Sequence, residues 1–279
     1  MKKTLAICLL LATTFSATAQ QKPTKEETIA LISRTTALSI GKPYMNSSLI
    51  VTESKFTYDS YSFADKFQEQ EGITKLTYSG ISWETLRPND ITLEIEYGGL
   101  GTVSVRFKKA IKYERAQTGS ETEILEFHAI KMVIPPEQFE GIKNACLRLA
   151  EIAKEESFDE TVKYVNNKIA CCSEVKTATI KGTISGNISW LAGGLYSGSR
   201  QINFFDLVDT KGSYGSTTIL ESDGMRLFKT SIYCISFQVD SDNVEYLNDF
   251  KSQADAERVY KALVQLRSLC TKEKDPFDN

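Results

Sequence analysis

Apolar residues recur at three- and four-residue steps in two long stretches of the chain and alternate with polar residues through most of what lies between. After Pro135-Pro136, the positions Phe139, Ile142, Cys146, Leu149 and Ile152 share one face of a helix that the pattern predicts to about Glu156. Ala256, Val259, Leu263, Leu266 and Leu269 repeat that rhythm 117 residues later. A third helix is predicted at Thr24-Lys25-Glu26-Glu27, where a hydroxyl three places before a glutamate forms a capping box ahead of Ile29 and Ile32.

The same cap pattern returns 133 residues on, at Ser157-Phe158-Asp159-Glu160, followed by Val162 and Val165. The predicted terminal helices both run into a charged segment that closes on Phe-Asp, at Phe158-Asp159 and Phe277-Asp278. Shared helix registers and a shared exit in the same order point to a duplicated unit. Between the helices, β-branched and aromatic residues predict short strands. In the first half these are 49–52, 55–60, 73–79, 81–86, 91–97, 103–109 and 124–133; in the second, 176–183, 188–191, 201–208, 217–221, 225–228, 233–239 and 244–247. Segments 81–86 and 202–207 read as equivalent strands, each with an aromatic third residue and a leucine sixth.

A leading helix, about seven antiparallel strands and a terminal amphipathic helix in each half resemble the pleckstrin-homology-like (PH-like) fold. Tandem units of this kind occur in exported bacterial proteins, which this chain resembles. The resemblance implies an α+β protein of two tandem PH-like units, residues 20–156 and 157–279, each a small antiparallel sandwich or barrel with an N-terminal helix and a C-terminal capping helix. Phosphoinositide binding is not carried over, because the terminal helices lack the tryptophan of eukaryotic members, as Leu263 and its neighbours show.

The amino terminus gives the expected address. Met1-Lys2-Lys3 is a basic start, Thr4 to Ala17 an apolar run, and Ala17-Thr18-Ala19 a small-x-small cleavage pattern, so residues 1–19 read as a signal peptide. The expectation is export, to the periplasm, the cell surface or the medium, with no transmembrane segment in the mature chain. Removing Lys2 and Lys3 from 33 basic residues leaves 31 against 36 acidic, a net charge of −5 that provides no global field for nucleic acid. Five cysteines remain, an odd number that leaves at least one without a partner in the chain. Cys146 and Cys270 fall on apolar helix positions and read as core. Cys171-Cys172 has no second pair or histidine beside it to build a metal site, and neighbouring cysteines rarely bond one another.

Candidate chemistry is sparse. The single histidine, His128, alternates with apolar neighbours on a predicted strand and reads as pointing to solvent, without a nucleophile motif. Glu121 with Glu123, and Glu94 with Glu96, share strand faces in the manner of a solvated sheet. Asp240-Ser241-Asp242-Asn243 resembles a calcium loop but lacks the glycine and terminal glutamate an EF-hand needs, and reads as a turn. The glycine clusters at 98–101 and 193–194 do not lead from a strand into a helix, as a phosphate loop would. No cofactor is expected. Two surfaces are better candidates for binding. Arg106, Lys108, Lys109, Lys112 and Arg115 place five cations in ten residues, expected at a hairpin where they would face an anionic head group or glycan; the plainer reading is a solvated sheet edge protected by lysine. Tyr58 and Tyr61, in the densest aromatic stretch, would suit sugar stacking or a protein contact.

The sequence therefore predicts a noncatalytic exported binding or scaffolding protein of the bacterial envelope, whose partner is an envelope protein, peptide or glycan. The alternatives are a sensor or assembly factor that docks a peptide as an added strand, and a carboxylate-dependent hydrolase. An exposed apolar patch favours the first reading, a long uncovered edge strand the second, and a cleft holding two carboxyls the third.

Overall fold

A computed structural model describes residues 22–39, 49–51, 55–61, 73–95, 99–117, 120–173, 179–192, 198–208 and 216–272. The expected signal peptide lies outside these residues, as do Glu96 and the glycines at 98 and 193–194. The chain is a mixed α+β protein with antiparallel sheets. It divides into two compact units; the main division falls within one helix, between Leu149 and Ala150, and the short segment Trp83–Thr85 groups with the second unit.

The first unit opens with α1 (Lys25–Ala37), capped as its sequence predicts: the Thr24 hydroxyl accepts from the Glu27 amide and the Glu27 carboxylate accepts from the Thr24 amide. Six strands follow: β1 (Leu49–Val51), β2 (Lys55–Tyr61), β3 (Ile73–Ser79), β4 (Leu86–Ile95), β5 (Gly101–Gln117) and β6 (Glu123–Ile134). They form one sheet organised around β5, which is far longer than its alternating apolar stretch predicts. One edge of β5 takes β4 along its first half and β3 along its second, while β6 lies along the other edge. The expected strand at 81–86 does not form. Gly80, at φ 70°, turns the chain out of β3, and Trp83–Thr85 make a single 3-10 turn before β4 begins at Leu86. Segments 81–86 and 202–207 are therefore not equivalent strands, since the second begins in a strand but leaves it after Asn203.

The long helix α2 (Phe139–Cys172) corrects a second expectation. No new helix is capped at Ser157; that residue lies inside α2, and its carbonyl accepts the Thr161 hydroxyl. A capping residue acts only where the backbone has left helical dihedrals. From Ala150 to Glu160 there is no glycine or proline, and Ile152, Phe158, Val165 and Ile169 are all buried. Nothing in that stretch stops the helix, so the potential cap stays an ordinary interior residue.

In the second unit, β7 (Ile180–Gly182), β8 (Asn187–Ala192) and β9 (Gly198–Asn203) make a three-stranded sheet. Strands β10 (Thr217–Ser222), β11 (Met225–Lys229), β12 (Tyr233–Gln238) and β13 (Val244–Phe250) make a four-stranded one. Asp223-Gly224, both at positive φ (47° and 75°), form the tight turn between β10 and β11. The sheets share an aromatic core in which the rings of Trp190 and Phe237 lie 5.4 Å apart and those of Phe204 and Phe237 6.2 Å apart. The Trp190 indole N–H reaches the Tyr246 carbonyl at 3.2 Å, satisfying the one polar atom that this buried side chain carries. The closing helix, α3 (Gln253–Leu269), buries Ala256, Val259, Leu263, Leu266 and Leu269, the residues its spacing predicts, and adds Tyr260 and Ala262.

Candidate binding surface on strand β6

The most distinctive surface of the first unit is the outer edge of β6. Its inner edge pairs with β5 from Glu123, opposite Arg115, to Ile134, opposite Gly101. Among the described residues no other strand pairs with it. Near its end the Ser39 hydroxyl donates to the Val133 carbonyl at 3.0 Å, so the end of α1 covers this part of the edge. From Glu123 to His128 every residue is exposed, including Ile124 at 59 %, Leu125 at 40 % and Phe127 at 42 %. Three large apolar side chains within four residues of an open strand edge are unusual, because such edges template further pairing and proteins ordinarily blunt them.

A bulge explains why these residues are not core. Between the pairs Arg106 with Ala129 and Ile111 with Phe127, β5 spends four residues where β6 spends only His128. Such an excess re-aims the bulged strand. Before it, Val103 and Val105 stand opposite Met132 and Ile130, all buried. Beyond it, buried Ile111 stands opposite Phe127, which lies on the other face of the regular strand β6. The apolar face therefore changes sides along β6. On the new side Tyr113 packs its ring 5.2 Å from Tyr78 and 4.8 Å from Phe127. Burial and the Glu123 charge hold the Tyr113 hydroxyl above its ordinary pKa, against the opposing pull of Arg115. Burial is the largest of these effects.

The basic stretch occupies a different place from the one expected. Arg106, Lys108, Lys109, Lys112 and Arg115 are all exposed, but they lie within the continuous strand β5 and not at a hairpin: Lys112 and Arg115 are paired on both edges and Arg106 with β6. Lys108 and Lys109 sit in the bulge. Lys112 stands opposite Glu126 and also pairs with Glu114 at 2.5 Å; Arg115 stands opposite Glu123. Acids interleave with the outer cations, so they do not form a uniform cationic face. For Tyr58 and Tyr61, strand β2 is described but their side chains lie outside the described residues.

His128 is exposed on β6, but so are its apolar neighbours Leu125 and Phe127, so the expected alternation does not hold there; Glu94, Glu121 and Glu123 are exposed as well. The Asp240 segment is the turn between β12 and β13. Its carboxylate accepts the Asn243 side-chain amide at 2.5 Å and the backbone amides of Asp242 and Asn243 at 2.8 Å each. The Asn243 side chain, then the Asp242 amide, holds this carboxyl below the usual range. Both oxygens are thus engaged in shaping the hairpin. Among the described residues, no three histidine, cysteine or acidic side chains cluster as a metal site.

The cysteines divide in one unexpected way. Cys171 and Cys172 form a disulfide between neighbours at the end of α2, contrary to the expectation from neighbouring-cysteine geometry. Cys146, Cys234 and Cys270 are free. Burial pushes the Cys146 thiol up to about 12, so it is an inert core group.

Among the described residues, two grooves are lined by helices. One of about 590 Å³ is lined by Leu31 and Arg34 of α1 and by Ala145 and Arg148 of α2, with Arg148 Nε donating to the Pro23 carbonyl at 2.9 Å. The other, about 450 Å³, lies between Tyr164 of α2 and Arg258 and Lys261 of α3. No described helix is long and apolar enough to cross a membrane. Comparison with known proteins finds no match to a family model, a curated protein or a solved structure.

Proposed function

We propose that this chain is a noncatalytic exported protein of the bacterial envelope that binds or scaffolds another protein, and that β6 is the contact. The observation that carries the reading is the open apolar edge, with Ile124, Leu125 and Phe127 exposed together. Leaving such a surface in water forgoes roughly 25 cal/mol for each Å² a partner would cover. The second unit supports the PH-like reading of the fold, since a terminal amphipathic helix follows its three-stranded and four-stranded antiparallel sheets and packs on the latter. An open strand edge also supports strand addition as the manner of binding.

The test is affinity capture from envelope fractions of the native host, with the tagged full chain and its Phe127→Ser variant side by side. A protein retained by the wild type and lost by the variant is the expected result. Equal retention by both, or turnover of a glycan or ester panel by the wild type, would overturn the reading.

A further inference from the structure

Asn187 opens β8 and Asn203 closes β9, and the two stand opposite each other in the antiparallel pair, so their side chains share one face of the sheet. Asn203 Nδ2 donates to Asn187 Oδ1 at 3.0 Å and to the Ser185 carbonyl at 3.4 Å, and its Oδ1 accepts the Phe205 amide at 2.9 Å. Both of its amide hydrogens are thereby used, and Asn203 serves as the frame. Asn187 Nδ2 donates to Ser185 Oγ at 3.3 Å, and that hydroxyl shares a hydrogen bond of 2.8 Å with Thr183 Oγ1. This leaves the second amide hydrogen of Asn187 for a ligand.

The turn between β7 and β8 holds the rest in place. Gly186 sits at φ 89°, and a side chain there would begin 3.0 Å from two carbons of the Phe205 ring and 3.2 Å from Asn203 Oδ1. Only glycine lets the ring lie against the turn. The Ile184 carbonyl accepts the Thr271 amide at 2.8 Å, which ties the chain leaving α3 to the same turn and brings Lys272 beside it. Among the described residues, Ser185, Asn187, Asn203, Phe205, Asp206 and Lys272 line a hollow of about 190 Å³. Asn187, Asp206 and Lys272 are exposed and the other three half-buried, so solvent reaches every lining residue.

We propose that this hollow binds one pyranose residue of a glycan, with Asp206, Asn187 and Lys272 bonding its hydroxyls and the Phe205 ring meeting its C–H face. The site lies wholly in the second unit and stands independently of the contact on β6. Its size is below the roughly 300–1,000 Å³ of pockets for drug-sized ligands and suits a single ring. A carboxylate that only accepts, an ammonium that only donates and an amide that does both match hydroxyls, each of which donates and accepts. One acid and one base leave the site with no net charge, which favours a neutral ligand over an ion. A half-buried aromatic ring at the margin offers apolar area to the C–H groups on one side of a sugar.

Ligand-observed saturation-transfer NMR on the full chain tests this, with glucose, galactose, mannose and N-acetylglucosamine as probes and glycine and alanine as zwitterionic controls. At least one sugar is expected to bind with Kd of about 1 mM, the weak affinity that suits a ligand of so few atoms in an open site. Asp206→Ala and Lys272→Ala each remove an exposed side chain, so thermal midpoints should stay at the wild-type value. Asp206→Ala is expected to weaken sugar binding about tenfold and Lys272→Ala severalfold. Binding of none of the four sugars, or variants that bind as the wild type does, would overturn the assignment. So would binding of glycine and alanine in place of a sugar, since the opposed charges would then be reading a zwitterion.

Discussion

The side-chain amide of Asn166, on α2, grips both backbone groups of Ile180: its carbonyl accepts the Ile180 amide at 2.7 Å and its NH₂ donates to the Ile180 carbonyl at 2.9 Å. Ile180 begins β7, an outer strand of the three-stranded sheet. One side chain thus does what a neighbouring strand would do, and this part of the edge is closed. Among the described residues, the edge of β6 shows no such device between Glu123 and His128. The contrast between a closed and an open edge in one chain is the basis for reading β6 as a contact surface.

Asn166→Ala should therefore destabilise the second unit by about 1–3 kcal/mol, the cost of leaving backbone groups without partners. Asn166→Asp should not rescue it, because a carboxylate can accept from the Ile180 amide but cannot donate to its carbonyl. Urea unfolding of both variants beside the wild type checks this; a loss confined to Ala would contradict it.

The two matching cap sequences should behave differently. Thr24→Ala removes a hydroxyl that accepts the Glu27 amide and should cost about 1 kcal/mol. Ser157→Ala, inside α2, should be neutral or slightly stabilising, because alanine is the better interior helix former. Thermal unfolding midpoints separate the cases, and a comparable loss from both would mean that a helix does begin at Ser157.

Thiol labelling tests the cysteine assignment. In the native protein Cys146 should resist alkylation at pH 8, being fully buried with its thiol pushed up to about 12. Denaturation without reductant should expose Cys146, Cys234 and Cys270 to label, and reduction should add Cys171 and Cys172. Labelling of the neighbouring pair before reduction would contradict the bond. Peptide mass mapping reads each site directly.

Local signals were the legible part of this fold. The Thr24 cap, the apolar face of α3 and most strand cores follow from spacing that one helix turn or one pleat imposes. Features set by distant partners were not legible. Arg106 to Arg115 reads as a charged turn because five cations suit solvent, yet β5 runs on through them, unpaired only across the bulge and flanked by β3 and β6 again from Lys112. The start of β6 carried one usable signal, the adjacent apolar pair Ile124-Leu125, which breaks the alternation expected of a strand with one solvated face. Its meaning depends on the bulge in β5, which changes the buried side and which no local pattern in β6 announces. Ser157 shows the opposite case, a sound local signal that helix-forming neighbours override.

The most direct measurement places a photo-crosslinking amino acid at position 127 of the full chain in its native host, with the same substitution at Leu191 as a control. Leu191 is 57 % exposed on β8 and so reports nonspecific contact. The account predicts a discrete adduct to another protein from position 127 and none from position 191. No adduct from 127, or equal yields from both positions, would contradict it.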